Sequence, residues 1–139
     1  MRAITLLATA LLVACGGSSA TATGPSLVGV YQLNTVNGSA LPVVIAQGDG
    51  VMTYLTGEVL TVSLGGTYQT NGAESRKNAS GYGTSFAMSS TGTYVASGSN
   101  YTFTDVSLGV GIASFSASIA GSTLLTVSLA GVTYVFTKQ

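Results

Sequence analysis

The chain has 139 residues, four basic and four acidic side chains, one cysteine, and neither histidine nor tryptophan. So few and so balanced charges leave no electrostatic footprint for nucleic acid or an anionic lipid surface. The lack of histidine removes histidine acid–base catalysis, Ser–His and Cys–His nucleophilic pairs, and the usual zinc ligands.

At the start of the chain Arg2 supplies a positive charge, and Ile4 to Val13 form an apolar run broken only by Thr5 and Thr9. A helix needs ~20 residues to cross a bilayer, so this run is too short to span one. It has the length of the apolar segment of an export signal. The run ends in Leu12-Val13-Ala14-Cys15, which resembles the lipobox of bacterial lipoproteins. That resemblance implies a signal peptide over residues 1–14, cleavage before Cys15, and acylation of the Cys15 sulfur and the new N-terminus. Two or three acyl chains on one residue anchor stably, whereas one chain is marginal. The expected location is therefore the bacterial cell envelope, attached through lipid on Cys15. Gly16 after the cysteine fits outer-membrane sorting by analogy with enteric-type bacteria. Processing removes Arg2 and leaves Arg76, Lys77 and Lys138 against Asp49, Glu58, Glu74 and Asp105, one net negative charge. With Cys15 acylated no thiol remains for a disulfide, so stability has to come from packing and backbone pairing.

Residues 16–26, from Gly16 to Ser26, carry no large apolar side chain and read as a flexible linker. The folded domain is expected over 27–139, with a single core.

Within it no window shows apolar residues at a 3.6-residue period with caps at both ends. Short runs of Val, Thr, Tyr, Ile and Phe, punctuated by Gly and Asn, predict strands instead. They lie at about 28–35, 40–46, 51–56, 57–64, 67–74, 84–90, 92–97, 100–105, 111–119, 123–129 and 132–138, merging to eight or nine. Alternation puts Leu60, Val62 and Leu64 on one face. It does the same for Tyr101 with Phe103, for Ala113, Phe115, Ala117 and Ile119, for Leu125, Val127 and Leu129, and for Tyr134 with Phe136. Asn37-Gly38, Gly65-Gly66, Asn71-Gly72, Ser97-Gly98, Ala120-Gly121 and Ala130-Gly131 are predicted turns. The polar stretch from Ala73 to Gly83 is expected to be the longest exposed loop. Strands joined this closely pair antiparallel with their sequence neighbours. The fold class is all-β, an up-and-down meander closed into an eight-stranded barrel, with a β-sandwich as the alternative. A membrane-spanning barrel does not fit, because the strands have hydroxyl-rich faces and no aromatic girdles.

The first strand Gly29-Val30-Tyr31-Gln32-Leu33 leads to the Asn37-Gly38 turn. With the stretch Thr91 to Phe103 and the closing Gly131-Val132-Thr133-Tyr134-Val135-Phe136, it resembles bacterial lipocalin-like lipoproteins. The resemblance implies a barrel of the calycin type. Tyr31 stands where lipocalins proper carry Trp, and their later Asp- and Arg-bearing motifs have no counterpart, so no ligand residue carries over.

Of the four carboxylates, Asp49 lies in a Gly48-Asp49-Gly50 turn without further calcium ligands, Asp105 ends a strand, Glu58 begins one, and Glu74 falls in the polar stretch. Each reads as a solvated turn or strand-end residue rather than half of an acid–base pair. No catalytic residue, metal site or cofactor is therefore expected, and the chain is expected not to be an enzyme. The aromatic side chains remain. Tyr31, Tyr68, Phe86, Tyr94, Tyr101, Phe103, Phe115, Tyr134 and Phe136 either fill the barrel or line a cavity for a small apolar ligand. Two readings follow: an envelope-anchored ligand-binding barrel, or a structural or protein-interaction module of the envelope.

Overall fold

The computed structural model describes residues 26–81, 83–106, 114–121 and 123–139. The predicted signal peptide, Cys15 and the linker up to Pro25 lie outside the described residues, as does the beginning of the predicted strand at 111–113.

Ten strands form one antiparallel sheet: β1 Gly29–Val36, β2 Ser39–Ala40, β3 Val43–Gly48, β4 Val51–Val62, β5 Thr67–Asn78, β6 Gly83–Ser97, β7 Asn100–Asp105, β8 Ser114–Ala120, β9 Leu124–Leu129 and β10 Val132–Lys138. From β4 to β10 each strand pairs with its sequence neighbours. β10 then pairs with β1, and β1 pairs with β4, from Gly29↔Val62 to Gln32↔Val59. That last ladder turns the sheet into a closed eight-stranded barrel and excludes the sandwich. β2 and β3 are additional. They pair with the far end of β1 and the first half of β4, where those two strands have diverged.

The hairpin chemistry follows from the turn residues. Asn37-Gly38, Asp49-Gly50 and Ala130-Gly131 each connect strands with a two-residue loop and positive φ at both positions, the geometry whose twist matches flanking strands. Asn37 also ties its turn to β10: its amide donates to the Thr133 carbonyl at 2.8 Å, and its side-chain oxygen accepts from the Thr133 amide at 2.9 Å.

Two expectations are corrected. The stretch Ala73 to Gly83 is not a long loop, and Asn71-Gly72 is not a turn. Both belong to β5 or to its continuation into β6, with pairings running unbroken from Thr67↔Thr93 to Lys77↔Gly83. β5 is held from both sides, because β4 pairs along the same stretch as far as Val51↔Asn78. Two neighbouring ladders override the weak strand preference of Asn, Gly, Lys and Glu. The predicted break at Gly57 is a β-bulge within continuous β4, where the pairing with β5 shifts between Leu55 and Gly57. Leu64 falls beyond the end of β4 and is 89% exposed rather than sharing the face of Leu60 and Val62.

The buried side chains point inward, while the outer faces carry Thr, Ser and Gln together with exposed Val30 and Val95. Tyr31, Leu33, Leu60, Val62, Phe103 and Leu125 are all buried. Leu27, ahead of β1, caps this end of the barrel and accepts a 2.6 Å hydrogen bond from the Tyr31 hydroxyl through its carbonyl. The closed sheet encloses a hydrophobic core of its own, running in the chain from Leu27 to Phe136, as a segment able to fold alone requires.

Gly92 is the tightest point. The Tyr68 ring lies directly over it: a Cβ there would overlap the Thr104 carbonyl oxygen and sit 2.5 Å from Tyr68 Cε1. Glycine is required by that close approach of ring to backbone. Gly92→Ala should destabilise the barrel by about 3 kcal/mol, at the upper end of overpacking costs because one obstacle is backbone. Urea denaturation would check this, and a loss below about 0.5 kcal/mol would show that the ring can move aside.

Candidate functional site

The barrel is divided along its axis. At the end where β1 begins, aromatic rings fill it. Phe103 and Phe115 stack with centroids 5.0 Å apart, and Tyr68 meets both edge-on at 5.0 and 5.8 Å. Tyr94 joins through Phe103 and Tyr101 at 5.7 and 6.5 Å. Ring pairs of this kind add about 0.5–1.5 kcal/mol each beyond area burial. Tyr31, on the neighbouring part of the wall, is buried as well. Six of the nine aromatic candidates thus make or border a plug.

Above the plug the barrel is hollow, with a cavity of about 470 Å³. That volume lies within the ~300–1,000 Å³ usual for small-molecule sites. Phe115 belongs to both halves, closing the plug below and flooring the cavity above. Tyr134 and Phe136 of β10 also line it, with Leu60, Val127 and Leu129 continuing the apolar wall. Tyr31, Tyr68, Tyr94, Tyr101 and Phe103 do not line it. Phe86 lies outside, exposed on the part of the β5–β6 hairpin that overreaches the barrel, with the Arg76 guanidinium 5.0 Å from its ring centroid. It lines a separate shallow cleft with Arg76, Thr84 and Val51.

The hollow opens where β5 and β6 place Thr70, Gly72 and Ser90 inward beside β4. Leu60 of β4 stands beside Thr70 of β5 and Ser90 of β6, and one step higher Glu58 stands beside Gly72 and Met88. A Cβ at Gly72 would lie 3.4 Å from Met88 Cε and 3.6 Å from Glu58 Cγ, so the missing side chain is filled by its two neighbours. A further step up, Leu55 stands beside Glu74 and Phe86.

Sequence reasoning missed the polar half of this wall. Glu58, Glu74 and Asp105, three of the chain's four carboxylates, all line the cavity, with Thr70, Ser89 and Ser90 beside them. Each is correctly placed by parity. Glu58 shares the inward phase of Leu60 and Val62, Glu74 that of Tyr68 and Thr70, and Asp105 that of Tyr101 and Phe103. Among the described residues no lysine or arginine lines the cavity. Arg76 follows Glu74 on the same face of the ribbon but is engaged over Phe86.

The electrostatics are those of charge held away from water. Desolvation by burial raises the Glu58 carboxyl above 4.5, the ordinary glutamate value, and a hydrogen bond from the Thr70 side chain partly offsets this. Burial likewise pushes up the Tyr134 phenol, with the Glu58 charge adding to it. The Tyr68 hydroxyl is also raised by burial; Ser90 offsets part of the rise, and Asp105 and Glu58 add to it. Although it lies near Ser90, the Tyr68 hydroxyl closes no hydrogen bond of normal geometry and is sealed from solvent. Among the described residues no three of His, Cys, Asp and Glu stand close enough together to hold a metal ion.

Glu58 makes stability depend on pH with a definite sign. Because its native pKa is raised, the unfolded chain releases this proton first. Its contribution is complete below about pH 4.5 and is lost as pH rises through the native value. Glu58→Gln keeps an acceptor for Thr70 and removes the charge. Urea titrations from about pH 4 to about pH 8 should show the variant gaining on the parent as pH rises. Parallel stability curves would mean that Glu58 is solvated in the native state.

No family model matches the sequence, and no curated protein matches it. Among solved structures, the chain is similar to a lipocalin-like protein from Bacteroides uniformis, with a TM-score of 0.47 and 15% identity over 81% of this chain and 98% of that one. It is also similar to an uncharacterized protein from Bacteroides eggerthii, with a TM-score of 0.46 and 15% identity over 82% of this chain and 100% of that one.

Proposed function

We propose that this chain is a lipid-anchored binding protein of the bacterial cell envelope whose barrel holds one small, largely apolar molecule, without catalysing a reaction. The observation that carries the binding reading is the division of the barrel. A solid aromatic plug fills one half, and a cavity of about 470 Å³ with an apolar floor occupies the other. A barrel serving only as a scaffold gains nothing from that hollow, since unfilled volume forfeits dispersion contacts and costs stability. The mouth lies at the end where Met88 and Leu129, both exposed, form part of the rim. The anchoring half of the proposal stands on the apolar run and on Leu12-Val13-Ala14-Cys15.

Two measurements test the two halves. Residues 26–139, exported to a periplasm and purified without detergent, should carry an extra mass in native mass spectrometry that denaturation releases. Met88→Trp, which places a bulky ring at the rim, should lose that mass while keeping the circular dichroism of the parent. A clean apo mass that persists after challenge with a mixture of lipids and metabolites would refute the binding reading. For the anchor, the full chain grown with a clickable fatty acid should take up label and fractionate with membranes, and Cys15→Ala should do neither. Label that survives Cys15→Ala, or an unlabelled soluble parent, would overturn lipidation at this residue.

A further inference from the structure

The cavity reading leaves the ligand's chemistry open, and the distribution of charge narrows it. A site for a purely apolar molecule has no use for ionisable groups, which cost free energy to bury. Here three of four carboxylates face one cavity, and among the described residues no basic side chain lines it. The cations of the described residues are committed elsewhere. Arg76 lies over Phe86, Lys77 over Tyr54, and Lys138 at the plugged end, 5.6 Å from the Tyr31 centroid and donating to the Ser26 carbonyl at 3.1 Å. The protein thus does not supply Glu58 with a cationic partner from within the cavity wall.

A second observation points the same way and does not involve the carboxylates' own charge. The Tyr68 side chain is 97% buried by its 3% exposure, and its hydroxyl lacks a hydrogen-bond partner. It is directed at Ser90, with Asp105 and Glu58 close enough to act on it, and all three of those residues line the cavity. A buried hydroxyl left unpaired is unfavourable, and Ser90 is the cavity residue through which a polar group there would reach it. Below this polar band the floor is apolar, made by Phe115, Phe136 and Val127.

We infer that the ligand is an amphipathic amine, its apolar body resting on the Phe115 floor and its protonated nitrogen held by Glu58 and Glu74 at the polar band. This rests on the reading of the cavity as a ligand site. A carboxylate accepts charge-assisted hydrogen bonds from an ammonium group, which are about twice as strong as neutral ones. In a half-buried wall the Coulomb attraction is also less screened than at a surface. An anionic amphiphile of the same size meets like charge, and a neutral one offers Glu58 and Glu74 no counter-charge.

The test uses three probes with one tail and different heads: decylamine, decanol and decanoate, titrated calorimetrically into residues 26–139 at about pH 8, where an alkyl ammonium stays protonated. Decylamine should bind at least about tenfold more tightly than decanol, a difference of about 1.4 kcal/mol, with decanoate weakest. Glu58→Gln should bring decylamine close to decanol. Glu74→Gln provides an independent second variant should the first fail to fold. If decanol binds as well as decylamine, or decanoate binds best, the amine inference is overturned and the ligand-site reading stands. If none of the three binds, both fall together. An amine preference that survives both glutamine variants would likewise overturn the assignment to Glu58 and Glu74.

Discussion

The four residue pairs between Gly29–Gln32 and Val59–Val62 are the constraint on which the rest depends. Without them the sheet would be an open ribbon with long unpaired edges at β1 and β4, a template for association with other chains. With them the inward residues of eight strands face one enclosed space, and the pleat decides what fills it. Closure also brings Tyr31 of β1 against Leu60 of β4, and Leu27 follows as a cap because the Tyr31 hydroxyl reaches back to its carbonyl.

Once the space is enclosed, the sizes of inward residues set its contents. β7 and β8 contribute Tyr101, Phe103 and Phe115, and β5 contributes Tyr68, whose ring fits only because β6 has Gly92 opposite. Higher up, the same two strands offer Thr70, Gly72 and Ser90 inward, with Met88 leaning over Gly72, and no ring of β5 or β6 fills that height. One strand pair is therefore solid at one height and hollow a few residues later. The same height carries Glu58, whose carboxyl pKa is raised by burial.

Much of this was legible in the sequence. Alternation located the apolar faces of β7, β8, β9 and β10, and paired Asn-Gly or Ala-Gly residues located the turns at Asn37-Gly38 and Ala130-Gly131. The β5–β6 ribbon was not legible, because Asn71, Gly72, Lys77 and Asn78 favour turns locally and hold the strand only through two long ladders formed with distant residues. The carboxylate wall was a different failure. The parity that marks Glu58, Glu74 and Asp105 as inward was present, but solvation is the usual fate of carboxylates at strand ends, and that expectation outweighed phase. The aromatic residues were easier to recognise as interior than to sort between plug and cavity. That division depends on their height along the barrel, which shear and closure decide.

The position of the chain's entry has a mechanical consequence. Ser26 and Leu27 meet the barrel at its plugged pole, tied by Lys138 to the Ser26 carbonyl and by Tyr31 to Leu27. Tension arriving from the N-terminal side runs along β1, which lies between β4 and β10, so it loads two ladders in shear instead of unzipping either one. A load applied at Ser26 therefore enters the barrel at the pole opposite the rim formed by Met88 and Leu129.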